Sequence, residues 1–412
     1  MAVIRPFQGI RPALELVRDI AALPYDVYSS QEARKIVEKN PRSFLKIDRA
    51  ETQFPEGINI YAPQVYEKAA ETLRKMRDDG EFVQDSAPCY YIYSLTMDGR
   101  AQTGLMCCAS ADDYLNQVIK KHENTREDKE QDRIRHVDVC SAHTGPIFLI
   151  YRTNEEVQRS IRAVTEGAPL YDFTGDDGIL HQMWKVEDAG TIAKLTDAFA
   201  NVESLYVADG HHRAASAVKV ALKRREENPG YTGEEEFNYF LSVLFPEEQL
   251  KIYDYNRVVH NIGDKAEDTV LIELEKSFQV DQIGDTVYKP QKKGEVGMYL
   301  KGCGYRLTVR PEAYSFDPVE GLDVSILQNE VLCPIFGIQN PKTDERMEFV
   351  GGIRGLEVLK EIVDNEEGAA AFAMYPTSLE ELLRVADAGR LMPPKSTWFE
   401  PKLRSGMVIH EF

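Results

Sequence analysis

Positive charge is what this 412-residue sequence is short of: 49 lysines and arginines face 68 aspartates and glutamates, a formal net charge of −19. A protein that tracks a nucleic-acid backbone needs a basic field, so this balance argues against a polynucleotide partner while leaving room for a local pocket for one small anion. Long apolar runs are missing as well. None approaches the roughly 20 residues of a membrane helix, so no membrane span is expected. The opening MAVIRPFQGIRPALELVRD has neither a basic-then-apolar order nor a cleavage-like site, so no export signal is expected. Cys89, Cys107, Cys108, Cys140, Cys303 and Cys333 fall without CxxC spacing. That excludes a zinc ribbon and predicts buried or idle thiols in a reducing cytoplasm rather than a disulfide frame. No internal repeat and no low-complexity linker interrupts the chain. What remains is an ordinary globular composition, 43% hydrophobic and 28% charged, long enough for two or three domains.

Turn signals and helical stretches alternate along the first part. IYAPQVYEKAAETLRKMRDDGEF sets Val65, Leu73 and Met76 on a 3.6-residue stripe before a glycine stop, which predicts a helix. CYYIYSLTMDG (89–99) and AQTGLMCCASA (101–111) read as strands joined at Asp98-Gly99, a tight-hairpin dipeptide. DDYLNQVIKKHE is expected to be helical, with Tyr114, Leu115, Val118 and Ile119 as its apolar face, and GPIFLIYRT (145–153) to be a strand. Residues 205–209 predict a buried strand, followed by a helix to about residue 225 with Ala214, Ala217, Val218, Ala221 and Leu222 on its buried side. Further strands are expected around 241–245 and 250–255. The last third reads as strand (GMYLKGCGYRLTV), helix (LEVLKEIVDNEE), strand (AAAFAMYP) and helix (SLEELLRVADAG), closing on the Pro-rich LMPPKSTWFEPKLRSG. This order predicts a mixed α/β (α+β) layered fold without strict doubly wound alternation.

Three stretches carry chemistry. In LYVADGHHRAASA (205–217), Gly210 allows a sharp bend where a strand becomes a helix, and the helix start offers unpaired N–H groups and positive dipole character suited to phosphate. Arg213 adds a fork for phosphate oxygens, and His211 and His212 add donors or metal ligands. Asp209 can cap the helix or hold a magnesium ion. In VIKKHENTREDKEQDRIRH (118–136), the apolar face vanishes after Ile119. Thr125 with Asp128 approximates a capping box, which puts His122 and Glu123 in a turn between two helices, where a carboxylate can be aimed as a general base. A solvated charged helix explains the same composition. In MPPKSTWFEPK (392–402), Pro393 and Pro394 forbid a helix and leave Lys395, Ser396 and Thr397 extended, a lysine beside two hydroxyls.

Together these residues resemble the free serine kinase branch of the ParB/sulfiredoxin superfamily. The whole chain is similar to a bacterial family long labelled as of unknown function and related to that kinase. The marks are IRPFQGIRP (4–12), LPYDV (23–27), KKHENT (120–125), YVADGHHRAASA (206–217), FNYFLSVLFP (237–246) and MPPKSTWFEPKLRSG (392–406). The resemblance implies a ParB/sulfiredoxin-like nucleotide-binding core at 111–260 between an N-terminal α/β region (1–110) and a C-terminal α/β region (261–412) whose tail returns to the active site. It implies that Glu123, in the His122-Glu123 pair, is the base on a serine hydroxyl, with His122 or His212 stabilising charge. It further implies that Asp209, Gly210, His211, His212 and Arg213 grip nucleotide phosphates, with Asp209 towards Mg²⁺, and that Lys395, Ser396 and Thr397 close over phosphate or substrate. Ser396 stands where the kinases carry a threonine, and about 80 residues separate the His-Glu pair from DGHHR, a longer interval than the short kinases lead one to expect.

The implied activity is phosphoryl transfer from ATP or ADP to free L-serine, giving O-phosphoserine. A zwitterionic acceptor needs a partner for its carboxylate, and Arg11 and Arg257 both qualify. The alternative is a nucleotide-binding regulatory protein without catalysis, which would keep DGHHR and lack a usable base. A ParB-like DNA-binding factor would need a helix-turn-helix and a basic groove, and neither is found. A sulfiredoxin-like reductase would need an activated cysteine near the phosphate turn, and nothing surrounds Cys140 to activate it.

Overall fold

The computed structural model describes residues 1–263, 265–366 and 368–412. It is a mixed α/β structure, and the chain divides into two compact units. The first comprises residues 1–121, 125–250 and 401–412, the second residues 122–124 and 251–400.

The first unit is built on a nine-stranded mixed sheet in the order Ile119–Lys120, Leu205–Asp209, Ile147–Tyr151, Tyr239–Pro246, Arg100–Ser110, Tyr90–Met97, Leu180–Val186, Tyr171–Thr174, with Ile4–Arg5 added beside Arg100–Ser110. The hairpin at Asp98-Gly99 forms as its dipeptide demands: both residues take positive φ, 51° and 77°, the conformation that matches strand twist. Tyr90–Met97 and Ile147–Tyr151 are almost wholly buried, so they read as continuous apolar runs instead of alternating ones. A second cluster joins Phe44, Leu45, Val65, Leu73, Met76 and Cys140, and the predicted helix is there as Pro63–Asp78 with its stripe buried. Residues 401–412 complete this unit, with Ile409 bridged to Ile10 and His410 paired with His143.

The second unit holds a six-stranded sheet ordered Phe278–Gly284, Cys303–Val309, Glu295–Leu300, Ala370–Met374, Tyr255–Val259, Met347–Gly351. Helix Glu357–Asn365 covers one face through Leu359 and Val363, against Val258, Val350 and Ala371. The sequence pattern predicts this helix as far as Glu367, which lies outside the described residues. Helix Leu379–Asp387 starts at a capping box between Ser378 and Glu381, each side chain bonding the other residue's backbone N–H.

Four local expectations are corrected. DDYLNQVIKKHE is helical only over Ala111–Leu115; Gln117 turns to positive φ, Leu115 is exposed, and Ile119–Lys120 pairs in parallel with Leu205–Tyr206. Strand pairing outweighs the helical pattern there. His122 and Glu123 therefore follow a strand, not a helix. Thr125 and Asp128 form no capping box: the Thr125 hydroxyl donates to Glu130 at 2.6 Å, and Asp128 accepts from the Arg126 guanidinium. GMYLKGCGYRLTV is a hairpin, not one strand, turning at Lys301-Gly302 with φ of 48° and 83°. Among the described residues no helix is long and apolar enough to cross a membrane, and all six cysteines are free thiols.

Candidate functional site

In the first unit, strand Leu205–Asp209 lies between Ile119–Lys120 and Ile147–Tyr151, and its register slips between Val207 and Asp209. Such an irregularity re-aims the strand end, a device found beside active sites. Gly210 follows at φ 90°, ψ 32°, and helix His211–Glu227 begins directly after it. A side chain at Gly210 would be strained in this left-handed conformation, and its Cβ would stand 2.9 Å from Arg213 Nε. Gly210 is itself the N-cap and no side chain caps the helix, so the expected cap by Asp209 does not form. The helix start keeps its N–H groups directed outward along the axis, the arrangement that suits an anion.

Asp209 instead meets two cations: its Oδ2 lies 3.5 Å from Arg213 Nη2 and 3.5 Å from Lys402 Nζ. Arg213 is mostly buried and donates Nη1 to the Pro146 carbonyl at 2.6 Å, so this guanidinium braces the turn against the neighbouring strand. His212 Nε2 accepts the backbone N–H of Arg126 at 2.9 Å, which fixes the ring as a neutral tautomer carrying its proton on Nδ1. His211 is buried. Along the helix, Ala214, Ala217, Val218 and Ala221 are buried as expected, whereas Leu222 is exposed.

Behind Arg213 lies a cavity of about 20 Å³ lined by Tyr25, Asp48, Arg133, His136 and Thr144 among others, room for about one water molecule. Asp48 is buried and accepts the Thr144 hydroxyl at 2.8 Å, and Arg133 stacks 4.0 Å from the Tyr25 ring while pairing with Asp132 at 2.9 Å. Burial, with help from Arg133, lowers the His136 pKa, and burial raises that of Tyr25, so both are uncharged at neutral pH.

The second unit gathers residues far apart in sequence. The His122 carbonyl accepts the Met392 N–H at 2.8 Å, and His122 Nε2 lies 3.3 Å from the Thr397 hydroxyl. Lys395 takes φ 59°, its carbonyl accepts Arg257 Nη2 at 3.4 Å, and its ammonium lies 5.7 Å from the Tyr255 ring centre. Ser396 is buried, with its hydroxyl donating to Pro393 at 2.6 Å and its carbonyl accepting Thr377. The Ser396 hydroxyl is thus a lock for the turn, which the composition of the segment did not reveal. Glu123, in the same unit as His122, is half-buried.

Four contributors carry no clear mark in the sequence. Lys402 sits in the Pro-rich tail with nothing local to distinguish it. Tyr25 lies within LPYDV as one aromatic among apolar neighbours. Arg133 and His136 lay hidden in the charged run, although Glu130, Arg133, Val137 and Cys140 form a buried stripe at helical spacing. Of the two arginines expected as candidates for a substrate carboxylate, Arg11 is held by Asp85 through Nε and Nη2, at 3.0 Å for the latter.

No curated protein matches the chain. Solved structures resemble it at low identity. A Glu-to-Ala mutant of free serine kinase in complex with ADP aligns at 11% identity, covering 72% of this chain and 87% of that one, with a TM-score of 0.35. A C-terminally truncated SbnI from Staphylococcus aureus aligns at 11% identity over 72% and 82%, TM-score 0.37. A conserved hypothetical protein from Pyrococcus furiosus aligns at 15% identity over 73% and 93%, TM-score 0.35. Likeness at this level does not bear on the reaction. A family model described as "Protein of unknown function (DUF1015)" matches residues 4–325, and the chain belongs to that family.

Proposed function

We propose that this protein is a small-molecule kinase that moves the terminal phosphoryl group of ATP or ADP to the hydroxyl of free L-serine. The observation that carries the reading is the turn at 209–213. A strand end, a left-handed Gly210 and an uncapped helix start come together beside Asp209, Arg213 and Lys402. An uncapped helix start that backbone can approach closely fits nucleotide phosphates. Phosphoryl transfer asks mainly for positioning and charge stabilisation, which such a cradle supplies. Its resemblance to the free serine kinase signature, together with the His122-Glu123 pair, names the acceptor.

Asp209 offers the kind of single carboxylate that Mg²⁺ accepts alongside nucleotide phosphates and water, and Arg213 and Lys402 would shift their partnership towards those phosphates. Bound there, Mg²⁺ would neutralise charge on the bridging oxygens. Glu123 is assigned the serine hydroxyl proton: the serine oxygen forms a bond to the terminal phosphorus, the bond from that phosphorus to the bridging oxygen breaks, and the nucleotide leaves one phosphate shorter. His122 holds Thr397, and Lys395 and Thr397 serve the acceptor. His212 accepts the Arg126 backbone N–H, which fixes its ring at the start of the helix.

The test is O-phosphoserine formation with Mg²⁺, L-serine and either ATP or ADP, followed by mass spectrometry. Wild type should form product, and Glu123→Gln should lose at least 100-fold in kcat while still binding nucleotide, in line with general base contributions of about 10²–10⁴. Binding of nucleotide without product in wild type would sink the kinase reading in favour of a regulatory nucleotide-binding protein.

A further inference from the structure

Arg257 belongs to strand Tyr255–Val259, second from the edge of the second unit's sheet, opposite Phe349 and Phe372. Alternation along the strand sets it on the face away from Val258, and so away from the helix Glu357–Asn365. Its residue is 2% exposed. Its guanidinium donates to two backbone carbonyls, Tyr255 at 2.7 Å and Lys395 at 3.4 Å, and lies 5.5 Å from the Phe349 ring centre. Among the described residues no carboxylate forms an ion pair with it. Among the described residues the other buried arginines, Arg133 and Arg404, are partnered by Asp132 and Asp177, and the partly buried Arg11 by Asp85.

A buried cation without an anion is costly and is seldom kept for stability, since an apolar residue of similar volume does at least as well. Burial lowers the Arg257 pKa only to about 10, so the charge persists at neutral pH. Two carbonyls occupy two of the five N–H donors, leaving fork donors for a planar anion. The second of those carbonyls belongs to Lys395, whose left-handed backbone is a strained conformation of the kind concentrated at ligand-binding positions. Thr397, two residues on, reaches the His122 ring. The guanidinium thus adjoins the segment assigned to the acceptor.

We infer that Arg257 binds the α-carboxylate of the amino-acid acceptor. The naming of the acceptor rests on the kinase reading; the carboxylate chemistry rests on Arg257 itself. The planar guanidinium matches a carboxylate's two oxygens, and in a site shut off from bulk water that pairing is stronger than on a surface. It also gives the enzyme a means to prefer an amino acid over an alcohol of similar size. Arg11, held by Asp85, is not available for this role.

The experiment compares wild type, Arg257→Met and Arg257→Lys in the full chain. Arg257→Met should melt no lower than wild type and raise KM for L-serine about 10- to 100-fold, the loss of a charge-assisted hydrogen bond. Nucleotide affinity should stay within about twofold, and the preference for L-serine over ethanolamine, which lacks the carboxylate, should collapse. Arg257→Lys keeps the charge without the fork and should fall between the two; it decides the matter should the methionine variant not fold. An unchanged serine KM in the folded variants, or a loss of nucleotide affinity instead, overturns the assignment. Thermal shifts separate this inference from the kinase reading. With no phosphoserine formed by wild type, stabilisation by L-serine or glycine that is absent in Arg257→Met still supports a carboxylate seat, whereas no carboxylate-dependent shift refutes it.

Discussion

Arg133, Arg11 and Asp48 in the first unit and Arg257 and Asp323 in the second show two contrasting ways of treating buried charge. In the first, Arg133 is paired with Asp132 and stacked on Tyr25, Arg11 is clasped by Asp85, and Asp48 accepts the Thr144 hydroxyl. In the second, the hydrogen bonds of Arg257 among the described residues go to backbone carbonyls, and Asp323, 8% exposed, accepts one backbone N–H from Gly294. The comparison separates scaffolding from poise. Asp323 has a remedy of its own: burial pushes its pKa up to about 6, so a proton neutralises it in mild acid. Arg257 has no such remedy near neutrality, which is why its charge calls for an anion from outside.

The two tryptophans, Trp184 in the first unit and Trp398 in the second, make the contrast measurable, since single Trp→Phe variants report each unit in turn. The largest effect is expected for Arg133→Met. It leaves Asp132 with the Tyr66 hydroxyl but without its Arg133 partner and should cost the first unit about 3 kcal/mol by urea denaturation, the lower end of the penalty for half a buried ion pair. Equal tolerance of Arg133→Met and Arg257→Met would erase the contrast. Next, Asp323→Asn should stabilise the second unit at pH 7 by up to about 3 kcal/mol, the worth of a shift from 3.8 to about 6. The penalty grows as pH rises from about 4 to 6 and is absent below, so at pH 4 the variant should match wild type.

Acid should act on the first unit in the other direction. Burial, helped by Arg404, lowers His181 to about 3, so the unfolded chain takes up its proton near 6.5 and the folded one does not. The stability this contributes is complete above pH 6.5 and is lost as pH falls; at pH 5 His181 alone should cost about 2 kcal/mol. His143 and His136, also lowered by burial, act with the same sign. Denaturation at pH 7 and 5 should therefore shift the Trp184 transition down, and parallel shifts of both tryptophans would break the comparison. The smallest effect is expected for Gly210→Ala, about 1–2 kcal/mol for a Cβ in left-handed backbone, read as a lowered Trp184 midpoint.

Local chemistry was legible wherever short-range rules decide the outcome. The Asp98-Gly99 hairpin, the helix Pro63–Asp78 and the strand-to-helix turn at Gly210 all follow from turn residues and periodicity. The sequence was least legible where a distant partner overrules the local pattern. Ile119 continues a helical stripe yet joins a strand because Leu205 offers a parallel partner. Helix Glu127–Cys140 looked solvated because its buried stripe is polar, with Glu130 paired to Lys219, Arg133 stacked on Tyr25 and His136 bonded to the Ile47 carbonyl, all far away in sequence. Ser396 and Arg213 were legible as chemistry but not as geometry: their polar atoms turn to the carbonyls of Pro393 and Pro146. Arg257 was indistinguishable from Arg11 until their partners were known.

The closing residues of the chain carry a consequence for how the protein is made. Ser405, Ile409 and His410 pair with Ala22, Ile10 and His143, and Met407, Val408 and Ile409 are completely buried in the first unit. A ribosome must therefore produce the 150 residues of 251–400 before it delivers the strap that finishes what residues 1–250 began. At about 5–20 residues per second, the nascent first unit waits roughly 10–30 s with that slot open.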